Sequence, residues 1–143
     1  MKILWGTLLT MGIAALGLSA YHVHAEQGDK KVDTRVFELR TYYVLPGKMK
    51  AMNDRFRNHT NKLLEKHGMT LIGFWTPTDP KLADARLIHL VAHKSKEAAE
   101  KSWDNFRNDP DWKKAKEESE KGGAIVEKVE AVFLNPTDYS AIK

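Results

Sequence analysis

The sequence predicts an α+β domain in which one four-stranded antiparallel sheet carries two helices on one of its faces. Three observations lead to this prediction. Four segments are rich in β-branched and aromatic residues, with apolar and polar side chains in alternation, which is typical of strands. Two longer segments repeat apolar residues at helical spacing and end at glycines. The six segments follow one another in the order β-α-β-β-α-β.

The first strand and the first helix are predicted within residues 35–68. Residues 35–44 alternate apolar and polar side chains and include three aromatic rings, which indicates a strand. Pro46 and Gly47 end it, and a helix follows that stops at Gly68. The apolar residues that share one face of this helix are Met49, Met52, Phe56, Leu63 and Leu64.

Two strands come next in the chain. Residues 69–76 predict the second strand, and residues 86–93 predict the third. Between them lies a turn-rich stretch, Pro-Thr-Asp-Pro at 77–80, followed by a short polar link. The two strands therefore form a predicted hairpin.

The second helix is predicted in two parts. Ser95 is a suitable cap for the first part, whose inward face carries Trp103 and Phe106. At residues 109–110, an Asp that can cap is followed by a Pro at the first helical position, so the helix restarts there. It ends at the glycine pair 122–123. Residues 124–134 predict the last strand.

This order of elements is the ferredoxin-like arrangement. It places both helices on one face of the sheet and leaves the other face uncovered. A sheet face that is not wholly polar is usually covered by a partner, and two such sheets can pack together. We therefore expect a homodimer.

The first 25 residues predict a secretory signal peptide. Lys2 supplies a positive start, and residues 3–18 form an apolar run that only small or weakly polar residues interrupt. The sequence Val-His-Ala at 23–25 predicts cleavage after residue 25, which leaves 118 of the 143 residues. Residues 26–34 are polar and aperiodic and predict a flexible leader. The protein is thus expected in the periplasm or outside the cell, with an uncleaved membrane anchor as the alternative.

Charge and composition exclude several classes of function. The net charge is +4 and becomes +3 when Lys2 is removed with the signal, leaving 22 basic and 19 acidic residues. The charges are mixed along the helical segments, which favours a solvated surface over a nucleic-acid site. The chain has no cysteine, which excludes disulfides, thiolate metal sites and thiol nucleophiles.

Several motifs resemble the NIPSNAP family. They are Phe-Glu-Leu-Arg-Thr-Tyr at 37–42 with Pro-Gly-Lys at 46–48, Gly-Phe-Trp at 73–75, and the segment 103–112 that ends in Asp-Pro-Asp-Trp. The resemblance covers nearly all of a domain at residues 35–139, and the chain is identified as an exported bacterial member. It implies a dimeric α/β barrel in which two ferredoxin-like protomers press their sheets together around interior cavities. It implies no established reaction.

Glu38, Arg40 and Tyr42 are the first candidates for a site, because alternation places them on one face of the first strand. If Phe37 and Leu39 meet the helices, this polar trio faces the interior of the barrel. Arg40 would then hold an anionic group, with Tyr42 as a hydrogen-bond donor and Glu38 as a base or as the arginine's partner. The alternative is that Glu38 and Arg40 only neutralise one another.

His89 is a further candidate, as a general base. His89 and His93 lie four residues apart, which on a strand is roughly 13 Å, too far for one metal ion. Only a helical segment would bring them together to bind metal, and the alternation of apolar residues in 87–93 favours a strand. The sequence therefore predicts no metal site.

A group of aromatic residues offers either a wall for a flat ligand such as haem or ordinary core packing, and their helical spacing favours packing. Its members are Trp75, Trp103, Phe106 and Trp112. The sequence contains no motif for phosphate binding or hydrolysis, and no cofactor is predicted.

Two functions remain open at this point. The first is a module that binds a small ligand or a partner protein without catalysis. The second is an enzyme, similar to a cofactor-independent monooxygenase or an isomerase, acting on a small molecule in the barrel cavity. Only the analogy of fold supports the enzyme.

Overall fold

The structure is a computed structural model, and it describes residues 35–143. The predicted signal peptide at 1–25 and the predicted leader at 26–34 lie outside the described residues. Within residues 35–143, no helix combines the length and the hydropathy that a membrane span needs.

The described chain contains four strands and five helices. The strands are β1 (Val36–Val44), β2 (Thr70–Trp75), β3 (Arg86–His93) and β4 (Val126–Leu134). The helices are α1 (Met49–Arg55), α2 (Asn61–Lys66), α3 (Pro80–Ala83), α4 (Lys96–Asn108) and α5 (Pro110–Ser119). A π-helical turn, Phe56–Thr60, joins α1 to α2 without a break.

The four strands form one antiparallel sheet in the order β2-β3-β1-β4. The predicted ferredoxin-like α+β fold is therefore confirmed, including the hairpin of β2 and β3. The predicted caps are also confirmed, since Ser95 accepts a hydrogen bond from the backbone of α4 and Asp109 accepts one from the backbone of α5. Pro110 stands at the start of α5, as expected.

Three local features were not predicted. The link after β2 forms the short helix α3, because Asp79 caps it and Pro80 begins it. The helix α5 ends at Ser119, three residues before the glycine pair. The π-helical turn was also missed, because the sequence analysis assigned the apolar residues of the first helix to one regular helical face.

The helices pack on one face of the sheet, and the packing leaves two buried apolar clusters. One joins β1 and β3 to α1, through residues such as Val44, Met52 and Leu87. The other joins α2 to α4, through Leu64 and Trp103 among others. Both clusters lie on what we call the helix-side face of the sheet.

The orientation of β1 is the reverse of what we expected. The polar trio lies on the helix-side face, because Glu38 accepts a hydrogen bond from Trp103 of α4 and Tyr42 packs on Phe56. The expectation that this trio faces away from the helices is therefore wrong. Alternation determines which residues share a face, but it does not determine which face the helices cover.

The opposite side of the sheet, which we call the far face, is apolar around Leu39 and polar towards the end of β1, where Thr41, Arg86, Lys128 and Glu130 lie. None of its residues belongs to either buried apolar cluster. Trp75 and Val132 on this face are about half exposed, at 50% and 54%. The apolar residues that alternation and register place there are Phe37, Leu39, Trp75, Ile88, Leu90, Val132 and Leu134.

Candidate functional site

A cavity of about 390 Å³ lies between the helix-side face and the helices. Aromatic rings form much of its surface. Trp103 and Phe106 come from α4 and Trp112 from α5, and their rings touch in sequence, with centroids 5.6 Å apart for the first pair and 4.5 Å for the second. Tyr42 and Phe56 line the cavity as well and meet edge to face at 5.6 Å. Of the four aromatic residues that the sequence offered as a ligand wall, Trp103, Phe106 and Trp112 line this cavity. The fourth, Trp75, lies on the far face.

Arg40 enters this cavity from β1 and is held from two sides. Its Nη1 donates a hydrogen bond of 2.7 Å to Glu38 Oε1. Its guanidinium carbon lies 4.1 Å from the centroid of a Trp103 ring, which is a close cation–π contact. The Arg40 side chain keeps 18% of its surface exposed, so a planar, bidentate donor borders the cavity in a fixed orientation.

Glu38 is almost completely buried and fixes the orientation of Arg40 through their ion pair. Besides Arg40, the indole Nε1 of Trp103 donates to Glu38 Oε2 at 2.6 Å, and Nε2 of His93 lies 3.0 Å from the same oxygen. Burial alone would raise the pKa of Glu38, but the hydrogen bonds from His93 and Trp103 and the charge of Arg40 lower it to about 2. Glu38 is therefore ionised at neutral pH, and both of its oxygens are occupied.

Arg55 brings a second guanidinium to the cavity, and sequence reasoning missed it. Its side chain is only 4% exposed and donates to Glu120 at 3.0 Å and to Ser119 at 3.2 Å. Its guanidinium also lies 5.2 Å from a Trp112 ring. The sequence does contain a sign of this buried arginine. Arg55 follows Met52 by three residues and so lies on the apolar face of the helix, which is an unusual place for an arginine.

Tyr42 lies within the electrostatic reach of both arginines. Burial raises the pKa of the Tyr42 hydroxyl, and the charges of Arg40 and Arg55 oppose this rise. The phenol stays protonated at neutral pH. A ligand oxygen in this part of the cavity would therefore meet a neutral hydroxyl donor close to two cations.

His89 is buried behind the cavity and does not line it. Its imidazole stacks on Phe74 at 5.4 Å and lies 5.5 Å from the ring of Tyr42 and 5.7 Å from that of Phe56. Neither ring nitrogen has a hydrogen-bond partner among the described residues. Burial, with the charge of Arg40, lowers the pKa of His89 to about 4, so the ring is neutral at neutral pH. His93, in contrast, lies at hydrogen-bond distance from Glu38, so the two histidines have different environments.

Comparison with protein families shows to which family the chain belongs. The NIPSNAP family profile matches residues 37–141, which is most of the chain and includes all of the helices, the cavity and all of the sheet except Val36. The protein belongs to the NIPSNAP family. A comparison with curated proteins found no match.

Solved structures with a similar fold include other NIPSNAP proteins of bacteria. A NIPSNAP family protein from Agrobacterium tumefaciens is 22% identical, with a TM-score of 0.65 over 76% of this chain and 99% of its own. A NIPSNAP-like domain protein from Burkholderia xenovorans is 16% identical, with a TM-score of 0.65 over 76% and 90% of the two chains. These likenesses support the fold of this NIPSNAP protein.

A more distant likeness connects this NIPSNAP fold to a described enzyme. SnoaB from Streptomyces nogalater, a cofactor-independent oxygenase, is 8% identical, with a TM-score of 0.52 over 77% of this chain and 99% of its own. At this identity the comparison concerns the fold alone. The chemistry of the NIPSNAP cavity has to be judged from its own residues.

Those residues are suited to recognition. The rings provide a flat apolar wall, and Arg40, Arg55 and Tyr42 provide donors for an acidic group. Glu120 is the only carboxylate among the lining residues in the described chain, and it is bound to Arg55. The cavity thus offers fixed cations and apolar surface, with no carboxylate free to accept a proton.

Proposed function

We propose that this NIPSNAP protein is an exported, homodimeric module that binds a small molecule with an aromatic body and an acidic group. The observation that carries the proposal is the position of Arg40 in the aromatic cavity. Its guanidinium is fixed between Glu38 and the face of Trp103 while part of it stays open to the cavity. A guanidinium held in this way is preorganised for a planar acid, which reduces the entropy lost on binding.

The alternative, an enzyme similar to a cofactor-independent monooxygenase or an isomerase, has less support from the site. A general base that removes a proton from a substrate must lie within hydrogen-bond reach of it. Glu38 has both oxygens engaged, and His89 is walled off by aromatic rings. Binding is therefore the function that the cavity supports best.

The proposed dimer uses the far face, which keeps the cavity within each protomer. Seven large apolar side chains lie on that face, and all but Phe37 keep part of their surface exposed, while the ligand site lies on the helix-side face. A second copy that packs its own far face there would remove this apolar surface from water, as the hydrophobic effect favours. Dimerisation and ligand binding would then use opposite sides of one sheet.

Binding of an aromatic acid tests the proposal. We expect naphthalene-2-carboxylate to saturate the purified protein at one molecule per protomer and to quench tryptophan fluorescence, because Trp103 and Trp112 line the cavity. Arg40→Met should weaken this binding by about tenfold or more, since a charge-assisted hydrogen bond contributes roughly 1.5–3 kcal/mol. Calorimetry gives the affinity and the stoichiometry.

Arg57→Met is the control, because Arg57 is an exposed arginine of the π-helical turn next to the cavity and does not line it. It should bind as the wild type does. If Arg40→Met unfolds because it leaves Glu38 without its cation, the double variant Arg40→Met/Glu38→Gln restores charge balance and takes its place. Undiminished binding by a folded Arg40 variant, or no binding by the wild type, would reject the proposal.

A further inference from the structure

The charges that line the cavity are unbalanced. Among the lining residues in the described range 35–143, four are cationic and one is anionic; the cations are Arg40, Arg55, Arg107 and Lys116, and the anion is Glu120. The two inner arginines each have a carboxylate partner, Glu38 for Arg40 and Glu120 for Arg55. Arg107 and Lys116 are exposed and mark the mouth of the cavity. The excess of positive charge is therefore at the mouth.

Each of the two cations at the mouth lies four residues after a tryptophan of the cavity wall, on a different helix. Arg107 follows Trp103 by four residues on α4, and Lys116 follows Trp112 by four residues on α5. Residues four apart lie on the same face of a helix, one turn from each other. Each cation thus stands one turn beyond a tryptophan of the cavity wall, so that the cations flank the outer end of the aromatic surface.

Lys116 is the unmatched charge of this pair. Arg107 forms an ion pair with Asp104, its neighbour on α4. Lys116 forms no ion pair with any residue in 35–143, and the same is true of Lys113 on this helix, but only Lys116 of the two lines the cavity. A ligand that reaches the mouth from inside the cavity would supply the missing negative charge.

We infer that the ligand is an aromatic dianion, with one acidic group at Arg40 and a second at the mouth beside Lys116. This inference rests on the proposed function, since it names the class of molecule that the same cavity binds. The aromatic wall between the two ends sets the orientation of the ligand. The inner arginine recognises an acid by bidentate hydrogen bonds, while the lysine acts as a point charge that tolerates more than one kind of acidic group.

A pair of probes that differ by one carboxylate tests the inference. We expect naphthalene-2,6-dicarboxylate to bind more tightly than naphthalene-2-carboxylate at low salt, by about two- to fivefold, which is the range of one partly exposed ion pair. The difference should shrink as salt is raised, because the mouth is open to solvent. Lys116→Gln should remove the difference and leave the affinity for the monocarboxylate within about twofold of wild type.

Lys113→Gln is the control, since Lys113 is an exposed lysine of the same helix that does not line the cavity. It should keep the preference for the dicarboxylate. If the monocarboxylate binds and the dicarboxylate binds no better, or if Lys113→Gln has the same effect as Lys116→Gln, this inference is wrong and the proposed function stands. If neither acid binds the wild type, both fail together.

Discussion

Glu38 shows at the scale of single residues why a charge can lie in the core of this small domain. A buried carboxylate is costly unless hydrogen bonds and a counter-charge replace its water. Here Arg40 and Trp103 donate to it, and His93 lies at hydrogen-bond distance. The same contacts hold Arg40 against the indole of Trp103, so the interactions that stabilise the core also orient the proposed ligand-binding group.

His89 predicts a specific loss of stability in mild acid. Its pKa is about 4 in the folded protein and near 6.5 in the unfolded chain. Between these values the unfolded chain binds more protons, so the free energy of unfolding falls as the pH drops from 6.5 to 4, by up to about 3 kcal/mol. Above pH 6.5 the effect is absent. Urea denaturation at pH 7, 5.5 and 4.5 measures it.

The variant His89→Phe separates this contribution from others. Phenylalanine keeps an aromatic ring among Tyr42, Phe56 and Phe74 and cannot take up a proton. We expect its stability to be nearly level between pH 7 and 5.5. At pH 4.5 both proteins lose some stability, because Glu38 is ionised in the folded state but has a pKa near 4.5 in the unfolded chain, so the difference between the two proteins measures the contribution of His89. His59→Asn, at an exposed histidine, should keep the slope of the wild type. An unchanged slope in His89→Phe would show that another group is responsible.

At the scale of elements, the π-helical turn keeps both ends of the first helix in register with the core. In a regular α-helix, the twelve residues from Met52 to Leu64 would turn Leu64 about 120° away from Met52. The π turn absorbs one residue, which reduces the difference to about 20°. Leu64 is accordingly 1% exposed and Met52 is fully buried. Arg55, Phe56 and Thr60, at the turn, all line the cavity.

Deleting the exposed Asn58 should therefore leave the fold intact while removing the binding site. The shortened helix can be regular and still direct Met52 and Leu64 inward, so we expect a free energy of unfolding within about 1 kcal/mol of wild type. The positions of Arg55 and Thr60 at the cavity would change. Binding of naphthalene-2-carboxylate should weaken by about tenfold or more.

Insertion of one alanine after Asn58 is the opposite change at the same place. It rotates Leu63 and Leu64 by about 100° out of the core, and the exposure of two leucines should cost about 3 kcal/mol or more. Thermal and urea denaturation compare the two variants. A deletion variant as unstable as the insertion variant would show that the π turn is required for folding, and one that binds normally would show that it is not required for the site.

At the scale of the whole molecule, the far face is the surface through which we propose that the protein dimerises. Leu39 on β1 lies directly across from Leu90 on β3 and from Val132 on β4, so the apolar side chains are adjacent at the middle of the sheet. The net charge of the sequence is only +4, which gives little repulsion between copies. The proposed partner for this surface is a second copy of the chain.

Leu90→Lys tests the proposed interface. We expect the wild type to sediment at twice the monomer mass at micromolar concentration and Leu90→Lys to sediment as a monomer, because a charge at the centre of an apolar interface is not compensated. Far-ultraviolet circular dichroism should be unchanged. Leu82→Lys, the same substitution at an exposed leucine of α3, should remain dimeric. A monomeric wild type would contradict the barrel.

The sequence by itself determined the four strands, the two main helical segments, their order, the caps at Ser95 and Asp109 and hence the ferredoxin-like fold. These follow from local periodicity and from backbone preferences that act within a few residues. Alternation also showed correctly that Glu38, Arg40 and Tyr42 share one face, so three candidate residues were brought together before the structure was known.

Only the tertiary structure decided which face of the sheet the helices cover and where Arg55 lies. The side-chain period of a strand is two, so reversing the two faces leaves the pattern unchanged; the choice depends on contacts between distant residues, here Glu38 with Trp103. The π turn and the inward direction of Arg55 likewise depend on partners 64 and 65 residues away in the chain, at Ser119 and Glu120. Local patterns do not report such partners, because their energies exist only once the helices have packed together.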